Sequence, residues 1–262
     1  MLIDTHCHLD VAEFDGDRDE VLTRAARAGV SHQVIPAIGK AGWSGLRDLC
    51  ASRPELHAAY GLHPMYLAEH QAAHLDDLKL WIEKEKPCAV GECGLDFHVD
   101  GLDRDEQERY FHGQLSLARE FDLPLVLHAR RAVDEVTAAL RRTGGLRGVV
   151  HSFSGSLQQA QHLWNLGFCL GIGGPLTYPR ASRLRDIVAG MPGEFLLLET
   201  DSPDQPMHGH QGRRNEPALL VEVLKTVAEL RRQSEAEIAA MTSANAARLF
   251  GLTLESRGAS LA

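Results

Sequence analysis

Lysine is scarce in this chain: five of its 27 cationic residues are Lys and the rest are Arg, set against 36 acidic residues and a formal net charge of −9. That balance excludes a sequence-independent coat protein for nucleic acid, which needs a broad basic surface. A pocket enzyme stays open, and for the arginines position matters more than number. Long apolar runs are missing too, so no membrane span is expected. The N-terminus carries no basic stretch followed by an apolar core and a small-residue cleavage site, and the expected location is the cytoplasm. Paired cysteines are absent. Cys7, Cys50, Cys88, Cys93 and Cys169 form an odd, scattered set without a CxxC spacing, which excludes a zinc knuckle or disulfide frame and reads as reduced, mostly buried thiols. Linkers and low-complexity tracts are lacking as well, so a single domain is expected over residues 1–252, with a loose tail over 253–262.

What is present is a chain of 262 residues, 44% hydrophobic, long enough to bury a large core. Eight short apolar runs recur: LIDTH at the start, HQVIPA (32–37), HAAYGLH (57–63), CAVGE (88–92), LVLH (125–128), GVVH (148–151), FCLGIG (168–173) and FLLLETD (195–201). Amphipathic stretches separate them, as in EVLTRAARAGV (20–30), where Val21, Leu22, Ala25, Ala26 and Gly29 fall on one helical face. Repeated βα units imply a parallel sheet. Eight of them at this length predict an α/β fold closed as a (β/α)8 TIM barrel rather than an open doubly wound sheet. SEAEIAAMTSANAARLFGL (234–252) opens on a Ser/Glu cap and keeps Ile238, Met241 and Leu249 on one face, which predicts a closing helix.

In a parallel barrel the functional groups belong at the C-terminal ends of the strands. His6 and His8 end the first run, and in an extended chain they share a face while Cys7 points away. Glu92, His128, His151 and Asp201 end the fourth, fifth, sixth and eighth runs. Four imidazoles and two carboxylates at one mouth are the mixed N/O set that holds a divalent ion, and they exceed the three protein ligands usual at one catalytic zinc. Burying them together without a counter-ion would be costly. Two divalent ions (Zn, Mn, Mg or similar) are therefore expected, with a carboxylate bridging ions ~3.5–4 Å apart. Glu92 is the bridge by strand order, His6 and His8 hold one ion, His128 and His151 the other, and Asp201 joins the first ion and orients water. Glu199 reads as a partner to a histidine or arginine, and Asp4 as either a similar partner beneath His6 or a plain structural hydrogen bond. His208 and His210 repeat the H-x-H spacing inside a Gly/Pro-rich loop where no strand fixes both rings, and are not expected to be ligands.

These motifs resemble the TatD family of metal-dependent hydrolases among the amidohydrolase-like barrels. IDTHCHLD, GLHP (61–64), VGECGLD (90–96), LHAR (127–130), VHSFSGS (150–156), GIGGPLTYPRA (171–181) and LLLETDSPDQP (197–206) stand in that family's order, from residue 2 to about 252. FSGSLQQA, TYPRAS and the HGHQGRRNEP loop are most similar to its YjjV-like branch. The resemblance implies a divalent-metal phosphodiesterase, typically a 3′ to 5′ deoxyribonuclease, with the same six ligands His6, His8, Glu92, His128, His151 and Asp201. It also implies that His63, the histidine of GLHP, contacts a substrate phosphate. Cys93 stands where the family often has an aliphatic residue; on a strand it faces away from Glu92.

Two dications lower the proton affinity of water and stabilise charge on an attacked phosphoryl group, and Asp201 is placed to take the proton. A polyanionic substrate also needs cations beyond the metals. Arg130 and Arg131 follow the fifth run, Arg180, Arg183 and Arg185 the seventh, and Arg213 and Arg214 the eighth. Arg130, Arg131 and Arg213 are the expected substrate contacts, to phosphates that position a strand without reading its sequence. Ion pairing with nearby acids is expected to claim about half of the seven. The expected partner is thus DNA or a short oligonucleotide, with no obligate protein partner. A barrel hydrolase of a small amide, lactone or phosphate ester is the rival enzyme. Many dinuclear relatives of that kind bridge their metals with a carboxylated lysine, and here Glu92 holds that position. A metal-binding module of a larger assembly is the non-enzymatic rival.

Overall fold

Eight parallel strands run in sequence order around one sheet: β1 (Leu2–Asp4), β2 (Val30–Pro36), β3 (Leu56–Tyr60), β4 (Ala89–Asp96), β5 (Leu125–Arg130), β6 (Gly148–Val150), β7 (Phe168–Ile172) and β8 (Leu196–Leu198). The computed structural model describes residues 1–253, so the tail expected over 253–262 lies outside the described residues apart from Thr253. The helices alternate with the strands: α1 (Arg18–Arg27), α2 (Trp43–Ala51), α3 (His74–Glu85), α4 (Arg104–Glu120), α5 (Val133–Thr143), α6 (Leu157–Asn165), α7 (Ser182–Gly190) and α8 (Leu220–Arg231), followed by α9 (Glu235–Phe250). The Thr5 N–H donates to the Leu198 carbonyl at 3.0 Å and the Asp201 N–H to the His6 carbonyl at 2.8 Å, which draws the last strand onto the first and closes the barrel. Among the described residues no helix is long and apolar enough to cross a membrane.

Alternation along the strands sorts their side chains between two cores. One residue from each strand, Ile3, Val34, Ala59, Ala89, Val126, Val149, Cys169 and Leu197, fills a layer inside the barrel, and Ala246, Leu249 and Phe250 of α9 close that layer from below. The intervening residues, among them Leu2, Ile35, Val90, Leu127, Val150 and Leu198, face the helices in the outer core. α9 begins where the cap pattern places it. The Ser234 hydroxyl accepts from the Glu237 N–H at 3.2 Å while the Glu237 carboxylate accepts from the Ser234 N–H at 2.8 Å.

Two local expectations fail. On α1 the buried face is Val21, Leu22 and Ala25, whereas Ala26 and Gly29 are exposed; α1 ends at Arg27, so Gly29 is already in the turn. Several strands are also shorter than their apolar runs. β1 stops at Asp4, β6 at Val150 and β8 at Leu198, which leaves His6, His8, His151 and Asp201 just beyond strand ends; the His151 N–H bonds to Leu127 of β5, while the His8 N–H to the Ser202 carbonyl and the Asp201 N–H to the His6 carbonyl tie the ends of β1 and β8 to each other.

Candidate metal centre

One alternation above the apolar layer, the barrel interior turns ionisable. His128 stands two residues after Val126, His151 two after Val149, and Glu199 and Asp201 two and four after Leu197, so each strand carries its polar group up the same inner face. β4 departs from this spacing. Ala89 and Glu92 both face inward although three residues apart, because the β4–β5 register shifts between Val90 and Cys93. Cys93 lies on the outer side, in the helix-facing core. Glycines make the room: a Cβ on Gly61 would lie 2.6 Å from the Glu92 carbonyl oxygen, and one on Gly171 would collide with the Glu199 carboxylate. The segment bearing His6 and His8 is extended and pinned on both sides, Thr5 N–H to Leu198 O at 3.0 Å and Cys7 N–H to Val34 O at 3.2 Å.

All six expected ligands meet at this level. Glu92, buried at the centre, presents its two oxygens to two different groups. Oε2 faces His6 Nε2 at 3.1 Å and His8 Nε2 at 3.6 Å, while Oε1 faces His151 Nε2 at 2.9 Å and His128 Nδ1 at 3.1 Å. Asp201 Oδ1 closes the first group, 3.4 Å from His6 and 3.6 Å from His8. Among the described residues, donor atoms within 4.8 Å of one another form three clusters, His6–His8–Glu92, His63–Glu92–His128 and His6–His151–Glu199. The Arg and loop-His expectations fare unevenly. Arg130 lines the same cavity, of about 530 Å³, whereas Arg131 lines an adjoining one of about 460 Å³ that shares Ala129 and Ser154 with it. Arg213 lines neither, since it sits on the exposed turn where its N–H bonds to the His210 carbonyl at 3.1 Å. His208 and His210 stay out of every donor cluster among the described residues. Of the seven rim arginines only Arg214 has a carboxylate partner among the described residues, Asp17 at 2.7 Å; the expected pairing of about half overstates it.

The electrostatics suit a cation. Burial drives His6 well below its ordinary range and pulls His8 down to about 4, so both rings are neutral with a lone pair to give. Burial alone would push Glu92 up, but the His63, His151 and His6 rings around it hold it well below the usual carboxylate range. Glu92 is therefore a buried anion. Its Oε2 has no hydrogen-bond partner despite two imidazoles nearby, an orphan that a shared positive ion would satisfy. Tautomers follow from the outer partners. Asp96, which burial would raise but which its bonds to His128 and to the Val99 and His98 N–H groups lower to about 2, can only accept, so His128 Nε2 carries the proton given to it at 2.8 Å and Nδ1 is the nitrogen turned to Glu92; against burial, these two carboxylates raise His128 above its ordinary range. His63 Nδ1 accepts from the Met65 N–H at 3.1 Å, which puts its proton on Nε2, 3.0 Å from Glu92 Oε1. His63 thus presents a donor to the cavity.

Sequence reasoning missed three supports. Asp96 was readable: Glu92, Gly94 and Asp96 alternate along β4, so the last carboxylate of VGECGLD had to face the cavity. Gln205 and Asn215 left no such signal. The Gln205 amide donates to Asp201 Oδ2, and the Asn215 amide donates to the Thr200 and Asp204 carbonyls at 2.9 and 2.8 Å, stapling the loop that carries Gln205. Asp4 resolves as structural, accepting from the Thr200 N–H at 2.9 Å and hydroxyl at 2.6 Å. Glu199 accepts from the Ser152 N–H at 2.6 Å and stands 3.6 Å from His151 Nδ1.

Known proteins place this cluster in context. The profile of the TatD related DNase family matches residues 3–251. The chain belongs to the TatD family. Within it, the chain is 43% identical to the uncharacterised metal-dependent hydrolase YjjV of Escherichia coli K12 over 95% of this chain and 98% of that protein. The crystal structure of YjjV superposes with a TM-score of 0.93, at 42% identity over 96% of this chain and 98% of that one. The 3′-5′ ssDNA/RNA exonuclease TatD of a Pantoea species is 34% identical over 96% of this chain and all of its own length. An organophosphorus hydrolase of Deinococcus radiodurans shares the fold alone, with a TM-score of 0.65 at 14% identity. TatD-family membership and a donor set able to hold two divalent ions make the chain a metal-dependent hydrolase.

Proposed function

We propose that this TatD-family hydrolase cleaves phosphodiester bonds at the ends of DNA or in short oligonucleotides, with His6, His8, Glu92, His128, His151 and Asp201 as ligands of two divalent ions. One observation carries the reading: the two oxygens of buried Glu92 face two separate nitrogen groups, His6 with His8 and His128 with His151. Such ions, when bound, activate water and neutralise charge on the attacked phosphoryl group. The residues of the chain supply the rest. Asp201 takes the proton of the attacking water, steadied through its second oxygen by Gln205. Arg130 offers donors to the phosphate oxygens, and the one proton of His63, on Nε2 and turned to Glu92 Oε1, would pass to a phosphate oxygen once bound ions engage Glu92. The five unpaired cysteines suit a reducing compartment such as the cytoplasm. Nuclease activity is the named property of the Pantoea relative and comes to this chain by family likeness, with Arg130 at the metal cavity and Arg131 and Arg183 in the adjoining one as the cations within reach of a strand.

Metal-saturated protein assayed against single-stranded DNA, a cyclic amide and a lactone tests the proposal. Turnover confined to DNA is expected. Turnover of the amide or lactone alone overturns the phosphodiesterase reading, and no turnover of any of the three leaves a binding module.

A further inference from the structure

The metal cavity has two unlike walls. On the β5–β8 side stand Arg130, Ser152, Ser154, Asp204 and Gln205; on the β1–β3 side stand Val11, Ile38, Met65 and Tyr66, with Glu13 the one charged group among them. Five large apolar side chains are exposed among the described residues: Met1, Met65, Tyr66, Leu80 and Leu157. Tyr66 is the one aromatic among them, 40% exposed, and it stands at the cavity mouth beside Met65, 41% exposed. Its ring is held rather than loose. The segment Pro64–Glu69 is a short helical turn, the Tyr66 N–H bonds to the His63 carbonyl at 3.1 Å, and the two rings meet edge-on with centroids 5.6 Å apart. His63 in turn reaches Glu92 at 3.0 Å, so one imidazole separates the tyrosine face from the metal centre, a span that a single sugar can bridge.

We infer that Tyr66 is the platform on which the base of the terminal nucleotide stacks while its phosphate lies over Glu92. This rests on the phosphodiesterase reading and deepens it. An anion gains nothing from Met65 and Tyr66, whereas every base offers a π-face to an exposed aromatic ring, and stacking of this kind tolerates any sequence. The division of the walls then orients the nucleotide: base toward β3, backbone toward the Arg130 side. Tyr66 touches the leaving or retained nucleoside and no reacting atom, so it is a positioning residue.

Equilibrium binding separates this inference from the reaction. Metal-loaded protein should bind deoxyadenosine monophosphate about tenfold more tightly than deoxyribose phosphate, the difference that one stacked base supplies. Tyr66→Ala should erase that preference with metal content and circular dichroism unchanged, and Tyr66→Phe should restore it. In turnover, an oligonucleotide ending in an abasic site should be as poor a substrate for the native protein as the intact strand is for Tyr66→Ala. A preference that survives in Tyr66→Ala overturns the inference while DNA hydrolysis stands. A preference that depends on Tyr66 in a protein that cleaves no DNA upholds the base platform and removes the nuclease reading.

Discussion

The floor and the rim of this barrel are made from the same strands, two residues apart on β5, β6 and β8 and three apart on β1, and they do opposite things. At the floor Ile3, Val126, Val149 and Leu197 pack with α9 in an all-apolar layer; at the rim His6, His128, His151 and Glu199 continue the same inner face with ionisable groups that burial disfavours. Stability resides in the first layer and chemistry in the second. Histidine sharpens the contrast, because it occurs at both ends. Below the apolar layer, His32 Nδ1 and His57 Nε2 lie 3.0 Å apart with no carboxylate within ion-pair reach among the described residues. Above it, each imidazole that faces Glu92 has an anion to answer to.

The largest effect should come from the rim. Glu92→Ala or Asp201→Ala is expected to lower kcat/KM by roughly a hundredfold or more at saturating metal, since each removes a group used in the transition state. Thermal unfolding of the metal-free variants should show no loss, because neither side chain supports the apolar layer. Activity above a tenth of the native value in both would remove them from the machinery. One step out, Asp96→Asn keeps the shape but loses the acceptor that fixes the His128 tautomer, and a 10–100-fold loss of metal affinity is expected, about the cost of such outer partners elsewhere. Titration of the metal-free protein with Mn or Zn reads it directly. Native affinity in Asp96→Asn would mean that packing alone orients the ring.

The floor should answer in the other currency. Phe250→Ala empties a buried position under the barrel and is expected to cost about 3–5 kcal/mol of unfolding free energy with metal affinity unchanged, as read by denaturant titration and metal binding on the same sample. A drop in metal affinity without loss of stability would break the division between the two layers.

Most of this division was legible in the sequence. The eight runs locate every strand, and six donors at their ends locate the centre, because a rigid parallel barrel leaves little choice about where strand ends point. What the sequence withheld were departures from regular spacing. Glu92 faces inward only because β4 shifts register before it, and period-two counting from Ala89 would have sent it outward. Gln205 and Asn215 reach the centre through a loop fold that no periodicity encodes. The arginines resisted for a related reason: Arg130 and Arg131 are adjacent in sequence yet open into different cavities, since Arg131 takes a left-handed backbone with φ 54°.

That difference between neighbouring arginines also ranks them. Charge reversal of Arg131, in the cavity that adjoins the metal centre, should steepen the loss of oligonucleotide kcat/KM and reduce its salt dependence, while a small phosphodiester that reaches only the metals is spared. The same change at Arg213, on the exposed turn, should do less. Equal losses would show that the strand runs over the β8 loop as well.

The smallest effect belongs to the floor histidines. Burial draws His57 down to about 4 and lowers His32 as well. Between the ordinary histidine value and about 4 the unfolded chain therefore binds more protons than the folded one, so stability falls as pH drops through that window and the loss is complete below it. His57→Gln takes one of these groups away and should flatten the melting temperature between pH 6.5 and pH 4, leaving the metal affinity measured at neutral pH as it was. A pH profile as steep in His57→Gln as in the native protein would move the acid sensitivity to the rim, where His6 and His8 titrate against Glu92, and the two ends of the barrel would no longer be separable by their histidines.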